Sequence, residues 1–67
     1  MNNSPKKIVY TYDIEFDLIR TREYHDDQSE PALQSYTDKE WTDLLYMIRS
    51  QNLPVEVVSV LDEYFRT

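Results

Sequence analysis

The side chains best suited to chemistry in this 67-residue chain are carboxylates, spaced two residues apart along its most regular segment. Asp13, Glu15 and Asp17 alternate with apolar residues between Ile8 and Leu18. A period of two predicts a half-buried β-strand, which would place these carboxylates on its exposed face about 6.6 Å apart. Regularly spaced negative charge of this kind suits electrostatic binding to a basic surface.

The other face of the same segment predicts the hydrophobic core. Its members are the apolar residues at every even position, namely Ile8, Tyr10, Tyr12, Ile14, Phe16 and Leu18. We expect this strand to begin near residue 7 and to run at least to Leu18, while residues 19–24 either extend it or bend away from it.

The remaining reactive side chains favour neither catalysis nor metal binding. The chain has no cysteine, and its single histidine, His25, lies in a turn-rich segment beside Asp26 and Asp27. Neighbouring residues of one loop do not converge easily on one ion, and zinc sites need three or four protein ligands. Phosphate-binding loops require glycine, which the chain lacks. We therefore expect no enzymatic activity, no cofactor and no metal site.

The acidic residues are concentrated in one part of the chain. Thirteen acidic residues against seven Lys and Arg give a net charge of −6, and residues 13–36 contribute −5 of it through seven acids and two arginines. Such a field repels phosphate backbones and anionic membranes, so we expect a protein partner with a basic surface and no direct binding of nucleic acid or membrane. No apolar run approaches the roughly 18–20 residues that span a bilayer, and we expect a soluble cytoplasmic protein.

Aromatic and acidic residues outside the strand extend the predicted binding surface. Tyrosine combines a large contact area with a polar tip, which suits an interface anchor. The predicted partner-binding set is Asp13, Glu15, Asp17, Glu23, Tyr24, Asp26, Asp27, Glu30 and Tyr46. The alternative interpretation of the acidic row is solvation alone, in which the charges keep a sheet edge soluble and unpaired.

The elements that follow must fold back against the first strand. Residues 25–31 are rich in turn formers and predict an exposed loop, and residues 32–36 predict a short return strand. Thr37 and Glu40 have the spacing of a capping box, which predicts a helix over residues 37–51 with its apolar stripe on the sheet.

The end of the chain predicts a second helix. Asn52 replaces glycine as the left-handed residue that ends the first helix, and residues 55–66 then show helical spacing, although their valines leave a strand open for the first half. The prediction is an α+β fold in ββαα order: a small antiparallel sheet with a long first strand, packed against two C-terminal helices. Residues 1–6 would form a flexible arm and residues 7–67 one small domain.

Residues on the first strand and the first helix carry a resemblance to a known class of proteins. They are Tyr12, Asp13 and Ile14, followed on the helix by Trp41, Leu45 and Tyr46. In this arrangement the chain resembles the short phage inhibitors of uracil-DNA glycosylase, and its size, acidity and lack of cysteine resemble anti-restriction and anti-CRISPR proteins. The resemblance implies a DNA-mimicking inhibitor whose acidic edge and helix aromatics occupy the nucleic-acid-binding surface of a host enzyme.

A second class of function competes with the inhibitor. A structural or regulatory interaction module, such as a homodimer that pairs sheet edges or an antitoxin-like subunit, would also be acidic and non-catalytic. Dimerisation would enlarge a core that is small in a chain of 67 residues.

Overall fold

The computed structural model of the protein describes residues 5–26 and 29–65, apart from the side chains of Glu63 and Phe65. The elements in chain order are β1 (Lys7–Asp13), β2 (Leu18–Tyr24), β3 (Ala32–Tyr36), α1 (Asp38–Ser50), β4 (Glu56–Ser59) and α2 (Val60–Phe65). The fold is therefore α+β, as predicted. The observed element order is βββαβα instead of ββαα, and the sheet has four strands and is mixed instead of antiparallel.

The alternating segment is a hairpin and not one long strand. β1 ends at Asp13, residues 14–17 form a turn, and β2 returns antiparallel with half-buried Leu18 opposite Asp13. The prediction of a long first strand was wrong because the alternation continues through the turn, where no second layer covers it.

The even-numbered residues beyond the middle of β1 are consequently not core. Ile8 is 1% exposed and Tyr10 packs against the core cluster, but Tyr12, Ile14 and Phe16 are 52%, 81% and 62% exposed. Apolar residues are normally scattered singly on a surface, so three exposed large ones at the end of one hairpin need an explanation.

The strand order in the sheet is β3-β2-β1-β4, with β4 parallel to β1 and the other pairs antiparallel. β3 and β4 therefore run in the same direction at opposite edges, and α1 crosses one face of the sheet to connect them. Residues paired across strands point to the same side. We call the side of Ile8 and Val57 the helix face, and the side of Val9 and Val58 the second face.

The core lies between the helix face and α1. Ile8, Ile19, Trp41 and Ile48 form one buried cluster. The ring of Trp41 lies between two tyrosines, with its centroid 5.0 Å from that of Tyr10 and 5.9 Å from that of Tyr36. Tilted aromatic pairs at this distance add to the free energy of burial. Trp41 therefore belongs to the core and is not an exposed aromatic of the kind that the resemblance implies.

Both ends of α1 confirm the local signals. The Thr37 hydroxyl accepts a hydrogen bond from the Glu40 amide at 3.2 Å, and the Glu40 carboxylate accepts one from the Thr37 amide at 2.9 Å. This pair is the predicted capping box. Gln51 caps the other end, and Asn52 follows with φ of 53°, a left-handed conformation that asparagine tolerates better than most residues.

Residues 55–66 do not form the single helix that their spacing favours. Residues 56–59 form β4 against β1, and helix begins only at Val60; the last residue of the predicted range lies outside the described residues. Valine is β-branched and suits a strand. Val57 packs on the helix face while Val58 is buried on the second face, and only the two-residue alternation of a strand satisfies both.

The second face is covered only in part. α2 follows β4 without a break and contacts β1 and β4. Val9 and Val58 are accordingly 1% and 7% exposed on this side. The part formed by β2 and β3, which carries Arg20, Arg22 and Leu33, is solvent-accessible, and we call it the open face.

The chain is fixed to the sheet before β1 begins. The Lys6 amide donates to the Tyr24 carbonyl at 2.8 Å, and the Lys6 carbonyl accepts from the Glu56 amide at 3.0 Å. The arm predicted over residues 1–6 is thus too long by at least Lys6, and residues 1–4 lie outside the described part.

β3 confirms the predicted return strand. No helix in residues 5–26 and 29–65 has the length and apolarity to cross a bilayer.

One buried polar atom opposes the stability of this core. Thr21 lies on the helix face opposite Tyr10 and is 3% exposed. Its hydroxyl oxygen has no hydrogen-bond partner among the described residues. Burying a hydroxyl without a partner costs free energy that an apolar group of the same shape would not.

Two identical substitutions test the position of the turn. Ile8→Ala leaves a cavity under α1 and should lower the free energy of unfolding by about 2–5 kcal/mol. Ile14→Ala removes the same atoms from an exposed turn and should change it by less than about 0.5 kcal/mol. Urea unfolding measures both free energies. If Ile14→Ala lowered the free energy of unfolding as much as Ile8→Ala, Ile14 would be buried and the prediction of one long strand would be supported.

The unpartnered hydroxyl gives a second stability test. Thr21→Val keeps the shape of the side chain and removes the buried oxygen, so it should raise the free energy of unfolding by about 1 kcal/mol. Thr11→Val, at an exposed position on β1, is the matched control and should have little effect. A destabilised Thr21→Val variant would contradict the assignment of an unsatisfied hydroxyl.

Candidate functional site

The β1–β2 turn holds large apolar side chains in water. Ile14 and Phe16 are 81% and 62% exposed, and they alternate with Glu15 and Asp17. We call residues 12–17 the hairpin tip. An apolar centre surrounded by polar groups is the composition of a protein-binding patch.

The side chain of Asp13 organises this turn. One carboxylate oxygen accepts hydrogen bonds from the amides of Glu15 at 3.1 Å and Phe16 at 3.3 Å, and the other accepts from Arg20 Nε at 2.8 Å. The bond from Arg20 is the main cause that lowers the pKa of Asp13; the two amides act in the same direction, and desolvation opposes them. Asp13 is therefore held as a carboxylate that fixes the local backbone.

A second hydrogen bond closes the other end of the turn. Asp17 has φ of 55°, a left-handed conformation that aspartate adopts more readily than most residues and that glycine would otherwise supply. Its carboxylate accepts a hydrogen bond from the Tyr12 hydroxyl at 2.6 Å. That bond is the main cause of the raised pKa of Tyr12, with smaller contributions from desolvation and from the charges of Asp17, Asp38 and Asp13.

Arg20 connects the tip to the body of the sheet. Its guanidinium carbon lies 5.4 Å from the centroid of the Phe16 ring, a cation–π distance. The same guanidinium is bound by Asp13 on one side and donates to the Ser35 hydroxyl of β3 at 3.2 Å on the other. The exposed ring of Phe16 is thus supported from below by a side chain that is itself held at two points.

The predicted acidic surface is split between two ends of the sheet. Asp13, Glu15 and Asp17 are together at the tip, but only Asp13 lies on a strand, so they do not form a straight row on one face. The acids of the β2–β3 loop lie past the far end of β2, whose six residue steps span about 20 Å. The predicted site residues at that end are Glu23, Tyr24, Asp26 and Glu30, and Asp27 lies outside the described residues.

Two side chains at the far end have partners within the protein. Glu23 accepts a hydrogen bond from the Tyr36 hydroxyl at 2.5 Å, and desolvation followed by this bond raises the pKa of Tyr36 far above its usual range. Asp26 forms an exposed ion pair with Lys6 at 3.3 Å, of a kind that contributes little to stability.

The two predicted tyrosines lie in different environments. The ring of Tyr24 is half-buried and faces the Lys7 ammonium group at 5.9 Å, so it is a weaker candidate for an interface. Tyr46 is 74% exposed on α1, as predicted, and is available to a partner. The structure does not bring Tyr46 into contact with the hairpin tip.

Sequence reasoning assigned the exposed apolar residues of the hairpin tip to the core. Ile14 and Phe16 continue the apolar alternation of β1 and so match buried strand positions. The signal that could have found them is the pair of aspartates at positions 13 and 17, because aspartate both caps a turn and tolerates a left-handed residue. Asp38, in the first turn of α1, is a further acid close enough to influence Tyr12.

The described side chains offer no ligand set for a metal. Within residues 5–26 and 29–65, no three His, Asp or Glu residues are grouped as metal ligands. Comparison of the chain with known proteins finds no matching family model, no similar curated protein and no similar solved structure. The geometry of the hairpin tip is therefore the basis for a proposal of function.

The ion pair in the turn predicts a pH dependence of stability. Because Asp13 has a lower pKa in the folded protein than its ordinary 3.8, its ionisation stabilises the fold above that value. This stabilisation is lost as the pH falls through the folded pKa. Asp13→Asn should therefore be less stable than the parent at neutral pH, and in urea unfolding the difference should shrink as the pH is lowered below 3.8.

A matched pair of variants isolates the cause of that shift. Arg20→Gln should raise the pKa of Asp13, followed by carboxyl-carbon NMR, whereas Lys39→Gln removes the same charge from α1 and should leave it unchanged. Equal pKa values of Asp13 in both variants would show that Arg20 does not hold the turn.

Proposed function

We propose that this chain is a non-catalytic binding protein that docks on a larger protein through its hairpin tip. Ile14 and Phe16 enter an apolar recess of the partner, and the carboxylates around them meet a basic rim. The observation that carries the proposal is the exposure of these two side chains, 81% and 62%, on a turn held by Asp13 and Asp17.

Pre-organisation of the turn supports this use. Ordering a flexible loop on binding costs free energy, and a loop already fixed in its bound shape avoids that cost. The hydrogen bonds of Asp13 and Asp17 fix the tip from both sides, and Arg20 supports Phe16. A turn needed only to connect two strands has no reason to present two large apolar side chains to water, which favours a binding role.

The charge of the tip supports a basic partner. The carboxylates of Asp13, Glu15 and Asp17 lie in the tip, with Asp38 close to Tyr12, against the single guanidinium of Arg20. In a chain of net charge −6 this field speeds association with a positively charged surface.

A nucleic-acid-binding enzyme is the partner that best matches this chemistry. Such enzymes carry basic clefts, and a protein that fills one acts as an inhibitor without any catalytic group. In this mechanism the apolar anchors provide most of the affinity, and the acids steer the encounter. The even spacing predicted for Asp13, Glu15 and Asp17 on a strand would have resembled a row of phosphates. Because these carboxylates follow a turn, that spacing does not support the proposal.

The ionisation behaviour also favours a structural role for the polar residues. A general acid or base works best with a pKa near the operating pH. The pKa of Asp13 is shifted down, while those of Tyr12 and Tyr36 are shifted up. At neutral pH these shifts keep Asp13 as a carboxylate and keep both tyrosines as neutral phenols.

Removal of the apolar anchors tests the proposal. Immobilised protein captures partners from a cell extract, mass spectrometry identifies them, and calorimetry with the purified partner gives the Kd. The double variant Ile14→Ser, Phe16→Ser should bind at least about a hundredfold more weakly, because two central anchors are lost. The control Leu61→Ser, Tyr64→Ser alters two other exposed residues, 67% and 72% exposed, and should retain affinity.

A charge reversal at each end of the sheet tests the electrostatic part. Glu15→Lys at the tip should slow association and reduce its salt dependence, whereas Glu30→Lys in the β2–β3 loop should have a smaller effect. Full affinity in the Ile14, Phe16 variant, or a larger loss from Glu30→Lys than from Glu15→Lys, would refute docking through the tip.

A further inference from the structure

β3 is an edge strand without the usual protection against pairing. It lies at one end of the sheet, so alternate amides and carbonyls of its backbone face away from β2. Its five residues, Ala32–Tyr36, include no charged residue and no proline. β4, at the opposite edge, is only four residues long, begins with Glu56 and runs directly into α2. Of the two edges, β3 is the one suited to accept another strand.

A groove on the open face lies beside this edge. Its volume is about 450 Å³, and its lining includes Thr11, Arg20, Arg22, Leu33 and Ser35. We call it the arginine groove. Leu33 is 74% exposed at its border, which gives an incoming chain an apolar contact. A concave surface with a few polar groups and an apolar border has the general form of a ligand site.

The two arginines are spaced two residues apart on β2, which is the side-chain repeat of a β-strand. Arg20 and Arg22 are paired with Ser35 and Leu33 of β3, so their side chains share the open face about 6.8 Å apart along the strand. Arg20 already reaches β3, because its guanidinium donates to the Ser35 hydroxyl at 3.2 Å. Side chains two residues apart on an added strand would have the same spacing.

Arg22 is the cation available to a ligand. Arg20 is bound to Asp13, but Arg22 forms no ion pair or hydrogen bond with any residue that the structure describes. The chain has thirteen acidic residues and only seven Lys and Arg, so an arginine without an acidic partner among the described residues is a local exception to its charge. Arginine binds carboxylates with planar, two-point hydrogen bonding.

We propose that the free edge of β3 accepts an extended acidic peptide of a partner protein as a fifth strand. Its backbone pairs with β3, and acidic side chains at alternate positions reach over Leu33 and Ser35 to the arginine groove, where Arg22 binds a carboxylate. This is strand addition, in which backbone hydrogen bonds give affinity and alternate side chains give specificity. The site is separate from the hairpin tip and does not depend on the function proposed for it.

A second copy of this chain is a poorer occupant of the same edge. Two β3 strands paired antiparallel would join two copies that each carry a net charge of −6. β3 itself has no carboxylate to offer Arg22. Charge complementarity therefore selects an acidic segment from another protein.

Two labelled peptides test the site on the full-length chain. One is a blocked nine-residue peptide in which Glu and Thr alternate, and the other has Lys in place of Glu. Fluorescence anisotropy should show binding of the Glu peptide, weakened by salt, and none of the Lys peptide. Amide NMR of the labelled protein should place the largest shifts on residues 32–36 and on β2, and not on residues 12–17.

A matched pair of variants makes the result specific to the groove. Arg22→Gln should weaken binding of the Glu peptide about tenfold, because one charge-assisted contact is lost, whereas Lys39→Gln makes the same charge change on α1 and should not. Leu33→Glu should abolish binding. The proposal would be overturned if the Glu peptide did not bind, if the two charge variants lost affinity equally, or if the amide shifts lay at the hairpin tip. It would also be overturned if free glutarate bound as well as the peptide, or if sedimentation showed a dimer that buries β3.

Discussion

The area of the sheet that α1 can cover limits the core of this protein. The thirteen residues of α1 make a helix about 20 Å long, and this helix provides the covering layer of the helix face. The seven-residue strands β1 and β2 are about 23 Å long, so one helix is enough to cover them. A longer strand would leave apolar residues without a second layer. The chain reverses at residues 14–17, where Ile14 and Phe16 have no covering layer.

This limit explains which features the sequence predicts and which it does not. The capping box of Thr37 and Glu40, the left-handed Asn52 and the apolar stripe of α1 depend on residues close in sequence, and the structure confirms them. Ile8 and Ile14 occupy equivalent places in the same alternation, yet one is buried and the other exposed. The difference is that α1 packs on Ile8 and not on Ile14, which no local pattern contains.

The structure of the C-terminal segment also depends on contacts that are distant in sequence. Val57 and Val58 fit one stripe of a helix when only their spacing is considered. In the fold, β1 has a free edge on the side away from β2, and its backbone groups need partners there. β4 supplies them, and its two valines then serve two different layers. The candidate site follows the same logic, since the acids were predicted by type but their separation into two ends depends on the hairpin.

Arg20 determines whether the two candidate surfaces can act together. It supports Phe16 and binds Asp13 at the hairpin tip, and it also donates to Ser35 at the border of the arginine groove. If a ligand in the groove needed this guanidinium, it would compete with the carboxylate that fixes the turn. Arg22 lies one pleat further from the tip and is not committed in that way, so an acidic strand can bind there while Arg20 stays on Asp13. The two proposed sites therefore use binding groups of opposite charge and share one support, so the two proposals are compatible with two partners bound to one small sheet at the same time.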